Sequence, residues 1–231
     1  MAKSGKQREP QAMLPSLKSG ETFLTILTLL LLILMFGVAP LHAAGILSTQ
    51  GLSLVLVCVL VGGVVFISRS LTAVVVMSVA IGLAVAASIH RMIGPSTVDV
   101  LLDAGAMVII GSCLIWLVSR MVFSPGHVGY HRIMGAVLIY LTIAVTFSSL
   151  YMFVGLIFPN AFSGLPAFRD QPQLISDLIY YSVVTLTTVG YGDVTPVHPL
   201  ARSISNLEAI IGQLYPATLL ARLVTLHTEN R

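Results

Sequence analysis

The sequence predicts an all-α membrane protein with six transmembrane helices and one re-entrant segment between the fifth and the sixth. Hydrophobic residues make up 56% of the chain and charged residues only 9%, whereas an average soluble domain carries about 25% charged residues. The stretch from Thr22 to Ser68 contains no Asp, Glu, Lys or Arg. At about 1.5 Å per residue, this stretch is long enough for two membrane crossings of about 20 residues each.

Charges, prolines and glycine clusters divide the apolar sequence into six predicted spans. Between the last two spans, the polar and turn-rich stretch Pro159–Gln173 precedes a short apolar piece, Leu174–Leu186. A piece of about 13 residues is too short to cross a bilayer, so we predict a re-entrant helix there. The six spans are Thr22–Val38, Gly51–Ile67, Leu71–Ile89, Val98–Val118, Ile133–Phe158 and Leu200–Leu226.

Basic residues predict the orientation of the chain. The N-terminal tail is rich in Lys and Arg, and we expect it to be disordered and cytoplasmic. This placement puts a further set of arginines on the same side, as the positive-inside bias requires. We therefore predict an inner (plasma) membrane protein with both termini in the cytoplasm. The arginines that share this side are Arg69, Arg120, Arg132, Arg222 and Arg231.

The same pattern divides the chain into four regions. We predict a basic tail (1–21), a four-helix membrane domain (22–120), a cytoplasmic linker (121–132) and a C-terminal membrane domain (133–231). The last region contains the re-entrant helix and the final span, so any polar group in its loop lies at membrane depth. Irregular backbone is tolerated at that depth only where it is buried in protein or lines a water-filled path.

The motif that follows the re-entrant helix, residues 187–193, reads TTVGYGD. Gly190 and Gly192 can adopt positive φ without a side-chain clash, and their alternation with Val189 and Tyr191 lets successive carbonyls point to one side. With the Thr188 hydroxyl beneath them, these carbonyls would form stacked oxygen rings if four copies faced a common axis. Hard cations prefer oxygen, and such rings can replace a hydration shell.

This motif resembles the signature sequence of potassium channels, and the resemblance extends over roughly Ile133–Arg222. It implies a pore helix at 174–186, a selectivity filter at 188–192 and an inner helix at 200–226 in a homotetramer embedded in lipid. It also implies K⁺ as the permeant ion at Thr188, Val189, Gly190 and Tyr191, with no cofactor and no nucleic-acid partner. The implied filter residues are Thr188, Val189, Gly190, Tyr191 and Gly192.

The resemblance also assigns supporting residues around the filter. Asp193 matches the acid that ties the outer mouth to the pore helix, where Tyr180 and Tyr181 replace the usual aromatic pair and could donate to it. Thr187 precedes the filter as a further support. Val184 stands where some two-helix channels carry a Glu, so their buried carboxylate pair is absent.

A gate is implied on the inner helix. Gly212 matches the hinge glycine of the family, and Pro216, one turn later, removes a backbone donor and should kink the helix. Gln213 should point toward the pore and line the cavity. On this interpretation Gly212→Ala shifts the equilibrium between the open and the closed gate by about 1 kcal/mol, which changes the open probability and leaves selectivity intact. The alternative interpretation of Gly212 is close packing of helices.

The first four spans do not carry a voltage sensor. The fourth span lacks Arg or Lys at every third position and carries Asp99 and Asp103 instead. Each gating charge contributes only about 2.3 kcal/mol per 100 mV, so we expect weak voltage dependence. Asp103 either faces a functional partner or lies near the outer interface. Glu208 either concentrates cations near the cavity or, as we favour, forms hydrogen bonds behind the pore helix.

Three functions remain open on the sequence alone. The leading hypothesis is a potassium-selective channel that conducts K⁺ passively. The alternatives are a poorly selective cation channel and a non-conducting subunit that regulates another channel. An enzyme is not expected, because no pairing of acid and base, nucleophile or metal ligands stands outside the apolar spans.

Overall fold

The computed structural model describes residues 14–46, 71–93, 96–123, 130–168 and 172–229, and these are mostly helical. Long helices dominate, and two short strands lie between the last three of them. The elements in chain order are α1 Leu14–Ile33, a π-helical turn Leu34–Val38, α2 Ala39–Ala43, α3 Leu71–Ile93, α4 Thr97–Val122, α5 Tyr130–Ile157, β1 Phe162–Ser163, α6 Pro172–Leu186, β2 Thr195–Pro196 and α7 Pro199–Glu229.

The first helix begins earlier than the sequence predicts. Helix α1 starts at Leu14, so residues 14–21, assigned above to the disordered tail, are helical. That assignment was wrong for these residues: the basic stretch was interpreted as a disordered tail, although Lys and Arg are themselves good helix formers. The helix continues through a π-turn, where the N–H of Ala39 donates to the carbonyl of Leu34. Pro40 follows directly, and in an ordinary α-helical turn its ring would clash with the carbonyl four residues earlier.

Three helices among the described residues are long and apolar enough to cross a membrane. They are Leu24–Ala43, Thr97–Val122 and Arg132–Ile157, and α6 contributes a shorter apolar helix at Gln173–Leu186. The chain is therefore a multi-pass membrane protein. The predicted span Gly51–Ile67 lies outside the described residues, so the total of six spans stays a prediction.

Helix α5 is the centre of the packing. Helices α1, α4, α6 and α7 all contact it, and α3 packs on α4. Its buried residues Leu138 and Ile139 belong to the same core as Ile110 and Leu114 of α4. Gly111 lets α4 approach closely, since a Cβ there would lie 2.1 Å from the hydroxyl oxygen of Thr146. Small residues at such crossings are typical of helix packing in membranes.

A short β-ladder, absent from the sequence prediction, connects the outer loops. Strands β1 and β2 pair antiparallel, with Phe162 opposite Pro196 and Ser163 opposite Thr195. The N–H of Val197 also donates to the carbonyl of Ala161 at 2.8 Å. The chain that leaves the TTVGYGD motif is thereby attached to the loop that follows α5.

A polar contact joins the far end of α7 to the end of α4. The guanidinium of Arg222 donates to the carbonyl of Phe123, the residue that ends α4, and its Cζ lies 5.1 Å from the centre of the Phe123 ring. The last carbonyls of a helix have no partner within the helix, and a cation is favoured there. Arg222 therefore links α7 to the C-terminal end of α4.

Candidate functional site: a re-entrant helix and an oxygen-rich strand

The re-entrant helix α6 ends where the TTVGYGD motif begins. The N–H of Thr187 donates to Val183, that of Thr188 to Thr185, and that of Val189 to Val184, at 2.9, 2.9 and 3.0 Å. The Thr187 hydroxyl donates back to the Val183 carbonyl at 2.7 Å. The start of the motif is therefore fixed to the last turn of α6, whose negative dipole end faces the same region and favours a cation there.

The backbone of the motif alternates between two conformations. Thr188, Gly190 and Gly192 have φ of 58°, 58° and 81°, and Val189 and Tyr191 are not in the positive-φ region. The prediction for both glycines is confirmed, but positive φ at Thr188 was not foreseen. Thr188 lies just past a helix end, where a left-handed residue is common. This alternation allows successive carbonyls to face the same side of residues 188–192, an extended segment that we call the oxygen-rich strand.

The lower end of the strand is held by the last helix. Gln213 on α7 donates from Nε2 to the hydroxyl oxygen of Thr188 at 2.7 Å. This contact places Gln213 on the side of α7 that faces Thr188; that it points toward a pore and lines a cavity stays a prediction. An exposed amide at this point leaves its remaining hydrogen-bonding capacity for water or an ion shell.

The upper end of the strand is held by only one of the two predicted tyrosines. The hydroxyl of Tyr180 donates to Asp193 at 2.8 Å, and the Tyr180 and Tyr191 rings stack at 6.4 Å. The prediction for Tyr181 was wrong, because its hydroxyl lies 2.7 Å from that of Ser205 on α7. Consecutive helical residues point about 100° apart, so both tyrosines cannot reach one acid.

Gly164 supports the same upper end and was missed by sequence reasoning. Its φ is 86°, and a Cβ there would lie 2.0 Å from the carbonyl oxygen of Asp193. A glycine in a turn-rich loop carries no distinctive signal, so only the three-dimensional contact identifies it. The loop after α5 is thus packed directly against the backbone that leaves the motif.

Gly212 lies against the base of the strand. A Cβ at Gly212 would stand 1.8 Å from the carbonyl oxygen of Leu186, the last residue of α6, and the Tyr140 hydroxyl donates to that same oxygen at 3.2 Å. This contact agrees with the alternative interpretation of Gly212, close packing of helices, and argues against the expectation that Gly212→Ala leaves selectivity intact. Helix α7 continues through Gly212 and Pro216, and a hinge at these residues stays a prediction.

Glu208 lies behind α6, as favoured above. It is fully buried and contacts the hydroxyls of Tyr151 on α5 and Ser182 on α6. Asp99, near the start of α4, is also buried, and His90 Nδ1 lies 3.0 Å from its Oδ2. Neither Tyr151 nor Ser182 was singled out in the sequence, because a hydroxyl in an apolar helix is common.

A short apolar helix followed by an oxygen-rich extended segment, between two long helices, is the arrangement found in the pore of an ion channel. Residues 131–229 match the model of a family described as "Ion channel". With the relatives below, this match supports a relation of residues 131–229 to the potassium channel superfamily. The chain is accordingly grouped with channels rather than with enzymes.

The relatives match the same region. Protein LctB from Bacillus caldotenax is 38% identical over 87 residues, which are 37% of this chain and 64% of that protein. The inward rectifier potassium channel Kirbac3.1 from Paramagnetospirillum magnetotacticum is 33% identical over 76 residues, 33% of this chain and 23% of that one. The two pore potassium channel c from Oryza sativa subsp. japonica is 32% identical over 83 residues, 36% of this chain and 18% of that one.

The matched part is less than two thirds of each of these relatives: the chain spans 64% of the length of the Bacillus protein and smaller shares of the other two. No solved structure matches the chain significantly.

Replacing Tyr180 by Phe should lower the stability of the protein at neutral pH, and this difference from the wild type should shrink in acid. The hydrogen bond from Tyr180 holds the pKa of Asp193 below its usual range. A carboxyl whose pKa is lower in the folded state stabilises above its unfolded pKa, and this contribution is lost as pH falls through the folded pKa. Without the donor, the pKa of Asp193 returns toward its ordinary value, so the variant lacks most of this contribution at neutral pH and has less of it to lose in acid.

Thermal unfolding of the purified protein, followed from neutral pH into the acid range, measures this shift. Tyr181→Phe is the matched control, because Tyr181 does not contact Asp193. We expect the control to keep the wild-type pH dependence of the thermal midpoint. A midpoint difference between Tyr180→Phe and the wild type that stays the same from neutral to acid pH would contradict the role of this hydrogen bond.

Proposed function

We propose that this protein is a subunit of a potassium-selective channel that conducts K⁺ passively across the membrane. The observation that carries the proposal is the alternating φ of residues 188–192 in a TVGYG sequence, anchored by Gln213 below and by Asp193 above. Carbonyl oxygens arranged in this way can replace the hydration shell of K⁺. The permeant ions at Thr188–Tyr191 are the cargo of the protein, and no cofactor is proposed.

The functional assembly in this proposal is a homotetramer. One chain supplies a single oxygen-lined strand, which cannot surround an ion, and cyclic symmetry supplies the other three. The side chains of Val189 and Tyr191 are 53% and 71% exposed in the single chain. Large apolar side chains exposed beside the ion path support contact with neighbouring subunits. Each subunit has a mass of 24.6 kDa, so native mass spectrometry distinguishes a tetramer from smaller assemblies.

Gating in this proposal depends only weakly on voltage. Helix α4, the counterpart of a voltage-sensor helix in position, has Arg120 in its last turn and Asp99 in its first. Arg120 is also held over the Trp116 ring at 4.9 Å. Steep voltage dependence requires several charges per subunit that move through the field. The orientation with both termini in the cytoplasm of the inner membrane is part of the same proposal and is supported by the distribution of Arg and Lys.

Flux into liposomes tests the proposal. Purified protein should carry K⁺ and Rb⁺ far faster than Na⁺, with protein-free liposomes as the baseline. Equal fluxes of Na⁺ and K⁺ would indicate a poorly selective cation channel instead. A stable tetramer without any flux would favour a non-conducting subunit of another channel.

A further inference from the structure

The carboxyl group of Glu208 lies where three helices of the pore region meet. Its residue on α7 is 0% exposed. Oε2 accepts from the hydroxyl of Tyr151 on α5 at 2.5 Å, and Oε1 contacts the hydroxyl of Ser182 on α6. Glu208 therefore connects α5, α6 and α7 directly through polar contacts.

The protons available around Glu208 can be counted. A hydroxyl carries one proton. The Ser182 hydroxyl has two acceptors for it, the Ala144 carbonyl at 2.8 Å and Glu208 Oε1. Both contacts are satisfied together only if Ser182 donates to Ala144 and Glu208 donates to Ser182. The carboxyl must then carry a proton on Oε1.

The neighbouring hydroxyls supply no additional proton. Ser205 donates to the Ala201 carbonyl at 2.8 Å, so the Tyr181 hydroxyl donates to Ser205 at 2.7 Å. The proton of Tyr151 is directed at Glu208 Oε2. With Glu208 protonated, each of the four hydroxyls named here has one donor role: Tyr151 to Glu208, Ser182 to Ala144, Tyr181 to Ser205 and Ser205 to Ala201.

Charge leads to the same protonation state. An ionised carboxylate without water or a cation beside it is far more costly to bury than a neutral acid. The titratable groups that face Glu208 are Tyr151 and Tyr140 on α5 and Tyr181 on α6, which bring no positive charge.

We infer that Glu208 is a neutral carboxylic acid whose proton, shared with Ser182, positions the re-entrant helix and hence the filter against the inner helix. Ser182 lies one turn before Leu186, and Glu208 lies one turn before Gly212, which touches the Leu186 carbonyl. The contacts of Glu208 with Ser182 and of Gly212 with Leu186 therefore fix the axial position of α6 relative to α7 at two successive turns. Glu208 acts as a positioning residue, and its effect on selectivity rests on the proposed channel function.

Infrared spectroscopy tests the protonation state without reference to conduction. At neutral pH, the difference spectrum of wild type minus Glu208→Gln should contain the carbonyl stretch of a protonated carboxylic acid. The band should shift in D₂O, because the acid proton exchanges. A difference spectrum with carboxylate bands and no acid band would overturn the inference. The band in a wild-type protein without flux would leave it standing and reject only the proposed function.

Replacement variants test the positioning role. Gln at 208 can donate to Ser182 and accept from Tyr151, so Glu208→Gln should keep the wild-type thermal midpoint and ratio of K⁺ to Na⁺ flux. Glu208→Ala should lower both. At alkaline pH the wild type should lose selectivity, whereas Glu208→Gln should not, because the amide has no proton to lose. A Gln variant that fails to assemble, or that behaves like Ala, would overturn the inference.

Discussion

Gly212→Ala should destabilise the protein and abolish most flux through the proposed tetrameric channel, rather than shift the open probability alone. The added Cβ would stand 1.8 Å from the Leu186 carbonyl oxygen, and real Cβ contacts almost never fall below 3.0 Å. The obstacle is a backbone carbonyl at the end of α6, so it cannot rotate aside as a side chain would. Relief requires α6 and α7 to separate.

The expected cost is that of overpacking, about 1–3 kcal/mol and occasionally more. In the proposed tetramer it arises in all four subunits. Separation of α6 from α7 also moves the Leu186 carbonyl away from Tyr140 and strains the Gln213 contact with Thr188. Flux and selectivity should therefore fall together with the thermal midpoint.

Flux into liposomes and thermal unfolding of the detergent-purified protein measure this effect. Gly105→Ala is the matched control, because Gly105 is also helical and its Cβ would meet nothing within 4 Å. We expect the control to be neutral or slightly stabilising, since Ala is the better helix former. A Gly212→Ala protein with wild-type stability and flux would refute the close-contact interpretation.

Gly164→Ala should produce the second large effect, a loss of selectivity and of stability at the outer mouth. The substitution adds two costs: a non-glycine residue at φ of 86°, and a Cβ 2.0 Å from the Asp193 carbonyl oxygen. The conformational cost alone is about 1–2 kcal/mol. The clash is with the backbone that leaves the filter, so Asp193 must move and its bond from Tyr180 weakens.

Gly45→Ala separates these two costs. Gly45 has a similar φ of 75°, and a Cβ there would meet nothing within 4 Å. This control should show only the modest conformational cost and keep wild-type selectivity in the flux assay. If the two variants lose the same stability and both stay selective, the contact between Gly164 and Asp193 does not support the filter.

Sequence reasoning predicted the long helices well because their signal is local. An apolar run of sufficient length has few alternatives in a membrane, and the described helices α3, α4, α5 and α7 agree with the predicted spans to within a few residues. The positive φ of Gly190 and Gly192 was equally predictable, because glycine is the residue that adopts it without cost.

Contacts between distant residues were not predictable in the same way. The hydroxyl of Tyr181 was assigned to Asp193, although the direction of a helical side chain depends on the rotation of α6 against α7. The close approaches of Gly212 and Gly164 depend on where two backbones cross, and no residue spacing reveals that. The helical start at Leu14 was missed because charged residues obscured the helix signal.

The contact between Arg222 and Phe123 couples the movement of α7 energetically to that of α4. The inner helix cannot swing at its far end without either breaking this contact or carrying the end of α4 with it. A stimulus that binds α4 with different affinity when this contact is formed and when it is broken therefore shifts the equilibrium between the states of the proposed pore by that difference in binding energy. The exchange is reciprocal, so an ion or blocker that holds the pore in one state must change the affinity of the first domain for the stimulus by the same factor.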